Sequence, residues 1–357
     1  MESLDDVFVA DAVTHAYNQT EENWRVPEWA EPIAEVGYGL EMSMPEGYTR
    51  TKEAFLGDWH VRNTENALFR ESYTDFAVFH PQSIMVFEDG LTALEKAEQF
   101  VERNPTRGRA LASIDAVGLD DPQAELTRQV DMLDPHGVKV YPSYWEEDGT
   151  HKPFFMDDPE VAFPLWQHAV DLGLDVVAVH KAFPFGAAPM DSYEVGDVEE
   201  AANSFPELNF EIVHGGMTFA EETGWQIARH PNVYVNLELT LTEIATTPAS
   251  FADVMQDLLF AGGKQAVDSI LWGTGCPHFH PGMLMERFWE YDFGELESLA
   301  GPFELTQEDK KKILGENLVE AHNLEKEEIL SDIEDDQYSD AEIVDEPWST
   351  TDFEVAG

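Results

Sequence analysis

This sequence is poor in cysteine, in positive charge and in long apolar runs. Cys276 is its only cysteine, so an intrachain disulfide is excluded and a reducing, cytoplasmic setting is expected. Lysine and arginine number 20 against 72 aspartates and glutamates, a formal charge of -52. That balance argues against a nucleic-acid partner, whose phosphates need basic side chains, and against docking on anionic lipid. No run approaches the length of uninterrupted apolar sequence that crosses a bilayer. The opening MESLDDVFVADAV has neither a basic n-region nor a long apolar h-region, so no signal peptide is expected. The phosphate-binding GxxxxGK[ST], the dinucleotide GxGxxG, the zincin HExxH and the serine-hydrolase GxSxG are all missing.

What the chain has is acid and apolar matter in quantity. Across 357 residues, 43% are hydrophobic, enough for a large core. The acidic residues are spread over the whole length, which points to a halophilic surface kept soluble in molar salt, where the Debye length shrinks to about 3 Å. A basic partner is the competing explanation.

Eight short apolar segments recur, at 7–13, 75–81, 108–115, 137–143, 174–180, 209–214, 233–239 and 268–275. Helical periodicity fills most of the intervals between them. Strands alternating with helices predict a parallel sheet, and eight such units predict a distorted (β/α)8 TIM barrel with its site at the C-terminal ends of the strands. The barrel is expected to occupy 1–323. An insertion after the first strand, 18–70, is a candidate lid or subunit contact. The extension 324–357 has 13 acidic residues and one lysine, a composition of disorder. Yet Ile329, Ile333, Tyr338, Ile343, Val344, Trp348 and Phe353 recur in it as possible anchors.

Nearly every segment ends in a polar or ionisable residue. His15, His180 and His214 follow or close the first, fifth and sixth, and histidine serves as metal ligand, general base or general acid. Lys139 stands between Val138 and Val140 in the fourth, where a lysine needs a partner or an anionic ligand. Glu238 ends the seventh and is a candidate ligand or histidine-orienting group. Tyr17 is a candidate proton donor. Cys276, His278 and His280 follow the eighth and carry ligand chemistry, with a tight turn as the alternative. Tyr141 and Trp145, like Trp24 and Trp59, are candidate pocket aromatics.

Together these residues resemble the amidohydrolase superfamily, in its amidohydrolase-2 branch with the aminocarboxymuconate-semialdehyde decarboxylase-like enzymes. The motifs that carry the resemblance are DAVTHAYN, GVKVYPS, VAVH, IVHGG and ILWGTGCPHFHP. It implies a divalent metal, usually zinc, and hydrolysis or non-oxidative decarboxylation of a small carboxylate. By this resemblance His15 falls in the opening His-x-His motif, with Val13 in place of its first histidine. His180 matches the strand 5 ligand and His214 the histidine that acts on substrate or water. The strand 8 motif Gly-Thr/Ser-Asp-x-Pro reads Gly273-Thr274-Gly275-Cys276-Pro277, without its aspartate.

The leading expectation is therefore a metal-dependent hydrolase or decarboxylase. His15 and His180 hold a zinc or manganese ion, helped by Glu238, Cys276 or His278. His214, Lys139 and Tyr17 act on the substrate, and Lys139, Tyr141, Trp145 and His280 bind it. The alternative is a metal-free or non-catalytic barrel that binds a small molecule or serves as an assembly subunit. A homodimer or higher homo-oligomer is the expected assembly.

Overall fold

A computed structural model describes residues 3–146, 149–184, 188–339 and 341–352. Phe353 lies outside the described residues. Eight strands form one parallel sheet in chain order: β1 (Ala10–Thr14), β2 (Phe76–Phe79), β3 (Gly108–Ile114), β4 (Gly137–Val140), β5 (Val176–His180), β6 (Asn209–Val213), β7 (Val233–Asn236) and β8 (Ile270–Leu271). Their Val, Ile, Ala and Phe content suits strands covered on both faces. The sheet curls back on itself through backbone bonds from Ala12 N to Trp272 O (2.8 Å), Gly275 N to Val13 O (2.9 Å) and His15 N to Cys276 O (2.7 Å). These bonds join the tips of β1 and β8 irregularly, and β1 breaks register between Asp11 and Thr14. The result is the expected (β/α)8 barrel, distorted at its seam.

Alternate strand residues point outward into the main core. Phe210 and Ile212 of β6 pack there with Trp166 from the helix Ala162–Asp171, all fully buried or nearly so. The Trp166 indole donates to Met156 O at 2.9 Å, which satisfies its one donor. The helix Pro122–Leu133 shows how local chemistry fixes an element. Asp121 caps it by accepting from Ala124 N, and Pro122 sits where no amide donor is needed.

Residues 18–70 contribute two principal helices. The first, α1 (Pro27–Glu41), buries Ala30, Ala34 and Glu41. The second, α2 (Val61–Phe69), is buried at every position except Arg62. Glu41 and Arg50 form a buried bidentate pair, and the guanidinium lies 4.6 Å from the Trp59 ring and 5.0 Å from the Trp348 ring. Trp348 thus brings the acidic C-terminal stretch against this region. On the way there, the helix Lys326–Ile333 buries Ile329 and Ile333, and Arg107 pairs with Asp336. Among the described residues no helix is long and apolar enough to cross a membrane.

Candidate functional site

The C-terminal ends of the strands surround a cavity of about 760 Å3. His15 enters it from just past β1, Lys139 from within β4, His180 from the last position of β5, His214 from just past β6 and Glu238 from beyond β7. Tyr17, Tyr141, Trp145 and His278 also line it, whereas Cys276 and His280 do not. Trp24 and Trp59 are likewise outside the lining, and α1 supplies Trp29, Ile33, Val36 and Leu40 in their place.

The strand ends are tightly held. His214 has a φ of +64°, a conformation that costs a non-glycine residue on the order of 1–3 kcal/mol. Gly275 has a φ of +68°, and a Cβ on it would stand 2.4 Å from Glu238 Oε1. The left-handed φ favours glycine there, and a side chain would push the Glu238 carboxylate aside. Asp11 clasps the seam by accepting from Val13 N and Thr274 N at 3.0 Å each, and from the Thr274 hydroxyl. Burial still pushes its pKa up to about 6.

The hydrogen bonds assign the histidine tautomers. His180 Nε2 lies 2.8 Å from Phe183 O, so that nitrogen carries the proton and Nδ1 is the acceptor. His214 Nε2 lies 3.0 Å from His180 Nδ1 and is therefore the donor. His214 Nδ1 lies 3.4 Å from the Glu238 carbonyl oxygen, and Glu238 Oε2 abuts the same nitrogen without hydrogen-bond geometry. Burial raises the Glu238 carboxyl well above the carboxylate range, against the attraction of Lys139. A protonated Glu238 beside the His214 ring is the arrangement these facts favour. Burial likewise depresses the histidines: His15 and His180 to about 3, and His214 well below its ordinary value. All three are neutral at pH 7.

Lys139 is 1% exposed. Among the described residues, no hydrogen bond or ion pair engages its ammonium. The Tyr141 ring centroid is 5.6 Å away, and the attraction of Glu238 and Glu211 only partly offsets the burial that lowers its pKa. Asp115 is no partner, because it caps Val117 N and Gly118 N instead. Lys181, directly after His180, is fully buried and bonds Ser192 O and Asp197 Oδ2 at 2.7 Å each.

The expected metal centre does not stand. Among the described residues no group of three or more His, Cys, Asp or Glu side chains is placed to hold an ion. This overturns both the zinc or manganese cofactor and the metal-dependent hydrolase or decarboxylase reading. Several of the expected donor atoms are engaged elsewhere. His15 Nδ1 bonds His80 O at 2.7 Å, both ring nitrogens of His180 are engaged, and Glu238 lies against His214. His278 Nε2 bonds Gly37 O at 2.8 Å. The Cys276 thiol is sealed in an apolar cluster with Ala16, Trp59 and Trp348, and burial raises its pKa well above the usual thiol value. Val13 and Gly275 offer no donor side chain.

His280 is 3% exposed and bonds Glu71 Oε2 at 3.0 Å. Glu71, which no sequence signal marks, also accepts from Trp348 N at 2.7 Å, Thr350 N at 2.6 Å and the Thr350 hydroxyl at 2.5 Å.

Comparison with known proteins agrees with the fold. Residues 15–317 match the amidohydrolase (Amidohydro_2) family model. No curated protein matches the sequence. An uncharacterised TIM-barrel protein of Bordetella bronchiseptica superposes with a TM-score of 0.62 at 16% identity, covering 91% of this chain and 99% of that one. A 2,6-dihydroxybenzoate decarboxylase in complex with 2,6-dihydroxybenzoate gives 0.56 at 15% identity, covering 89% and 100%. A manganese-containing 5-carboxyvanillate decarboxylase of Novosphingobium aromaticivorans gives 0.53 at 11% identity, covering 90% and 97%. At such identities the structures speak for the fold alone. The family match spans most of the sequence: the chain belongs to the amidohydrolase family.

Proposed function

We propose that this chain is a metal-free member of its family that binds a small organic carboxylate at the barrel mouth, with Lys139 as the anchor for the anion. The observation that carries this reading is a buried ammonium facing a cavity with no hydrogen-bonded counter-ion. Burying a charge is expensive unless it is paired, and a ligand carboxylate supplies the missing pair. Tyr17, Tyr141 and Trp145 offer ring faces beside it. The decarboxylase similar in fold holds an aromatic carboxylate, which supports the choice of ligand.

A second reading adds acid–base chemistry of the hydrolase or decarboxylase kind on that ligand. It is favoured by the ordered run of Glu238, His214 and His180, in which His214 is the proton-transfer group. Tyr17, whose pKa burial raises, keeps its proton as a donor. In this reading residues 1–323 are the working unit, 18–70 its lid and 324–357 an extension. The acidic surface and single cysteine fit a halophilic cytoplasm.

Calorimetric titration with benzoate tests the anchor. Wild type binds it, and Lys139→Met loses about tenfold or more in affinity, the worth of one charge-assisted contact. Equal affinity in the folded variant overturns the proposal.

A further inference from the structure

The cavity is much larger than a single-ring acid requires. An apolar protein cavity of about 150 Å3 already holds benzene, and this one measures about 760 Å3. Its two ends differ in chemistry. At the strand ends stand Lys139 and the neutral histidines. Away from them α1 presents Ile33, Val36 and Leu40, with Trp29 of α1 facing Trp145 at 6.3 Å between ring centroids, and the imidazoles of His151 and His278 are polar groups beside this apolar stretch. Val36 is 56% exposed, a valine face open beside the cavity with no described side chain closing over it. Among the described lining residues Lys139 is the sole lysine or arginine, and Glu28 sits on the α1 side.

We infer that the ligand is an amphiphilic monocarboxylate whose apolar body, larger than one aromatic ring, lies along α1, and that α1 sets specificity by length. This rests on the carboxylate-binding reading above and extends it. One cation serves one carboxylate. A second acid group at the far end of a long ligand meets apolar side chains, Glu28 and the His151 imidazole, whose pKa burial lowers, and gains no lysine or arginine there. The body is held by burial of apolar surface, which scales with the area covered. The α1 residues act through contact with that body, so the reach of the ligand and not its headgroup decides affinity among carboxylates.

The test compares three probes by calorimetry on the full chain, at about 0.5 M salt to screen the acidic surface: benzoate, biphenyl-4-carboxylate and biphenyl-4,4′-dicarboxylate. Biphenyl-4-carboxylate is expected to bind at least about tenfold tighter than benzoate, and the dicarboxylate to lose most of that gain. In an Ile33→Ser/Val36→Ser variant, the ratio between biphenyl-4-carboxylate and benzoate falls to within about twofold. Both positions have partly open surfaces, and circular dichroism verifies folding. Benzoate binding that depends on Lys139 with no gain from the second ring overturns this inference and leaves the anchor standing. A gain that survives the double substitution overturns the role of α1. If no carboxylate binds, the anchor fails and this inference falls with it.

Discussion

Two of the buried histidine–glutamate pairs in this barrel share their chemistry and differ in their surroundings, while a third joins His322 to Glu211. Glu71 faces His280 and also collects Trp348 N, Thr350 N and the Thr350 hydroxyl. Burial raises its pKa, but the bonds from His280 and Thr350 outweigh that and leave it lowered. Glu238 faces His214 with no comparable set of donors, and burial leaves its pKa raised. The first carboxylate is saturated and closed beneath the C-terminal stretch. The second is under-satisfied and open to a cavity. The difference separates a carboxylate that holds the fold together from one that costs the fold stability where it borders the cavity.

Removing the saturated carboxylate breaks the comparison most sharply. Glu71→Ala orphans a buried imidazole and two backbone amides, and a loss of about 3–5 kcal/mol is expected. Thermal melting reads it, and limited proteolysis shows residues 341–352 cut faster. Glu238→Gln is the counterpart with a smaller effect: folding stability within about 1 kcal/mol of wild type, since a group that prefers to be neutral is replaced by a neutral one. A loss as large as that of Glu71→Ala erases the distinction between the two pairs.

The two carboxylates also carry opposite pH signatures. The folded Glu71 holds its proton less tightly than the unfolded chain does. Its contribution is full above its ordinary value of 4.5 and disappears as pH falls through the lower folded value. Folded Glu238 holds its proton more tightly, so its contribution falls as pH rises above 4.5 toward the raised value. Lys139, lowered by burial, acts in the opposite sense at higher pH. Chemical denaturation across pH is expected to show a shallower decline above 4.5 in Glu238→Gln than in wild type. It shows no such change in that range for Glu71→Gln. The smallest effect belongs to the exposed pair Lys52–Glu35: Lys52→Ala leaves the melting temperature unmoved at moderate salt.

The barrel is legible in the sequence because its strands are dense in Val, Ile and Ala and are spaced by helical periodicity. Their ends are less so. The apolar run 7–13 gives way to a strand at Ala10–Thr14, and 268–275 to Ile270–Leu271. Irregular bonding at the β1–β8 seam ends the ladder where composition does not change. α1 is hidden by Pro32, Gly37 and Gly39, residues that sequence reasoning treats as helix breakers. Strand-end histidines are visible as a pattern. What their nitrogens bond to is not, because the carbonyls of Phe183, His80 and Gly37 that take them carry no residue-specific signal. The metal reading fails for that reason. The C-terminal apolar residues announce anchors, but Glu71, the group that receives them, is one acid among 72 acidic residues.

The crowding of Gly275 by Glu238 ties the two positions together. A side chain at 275 must adopt a left-handed φ and push the tip of Glu238 aside, so Gly275→Asp sets two carboxylates against each other at the barrel mouth. Shortening Glu238 in the same chain relieves that crowding, and the two substitutions are expected to be non-additive in stability.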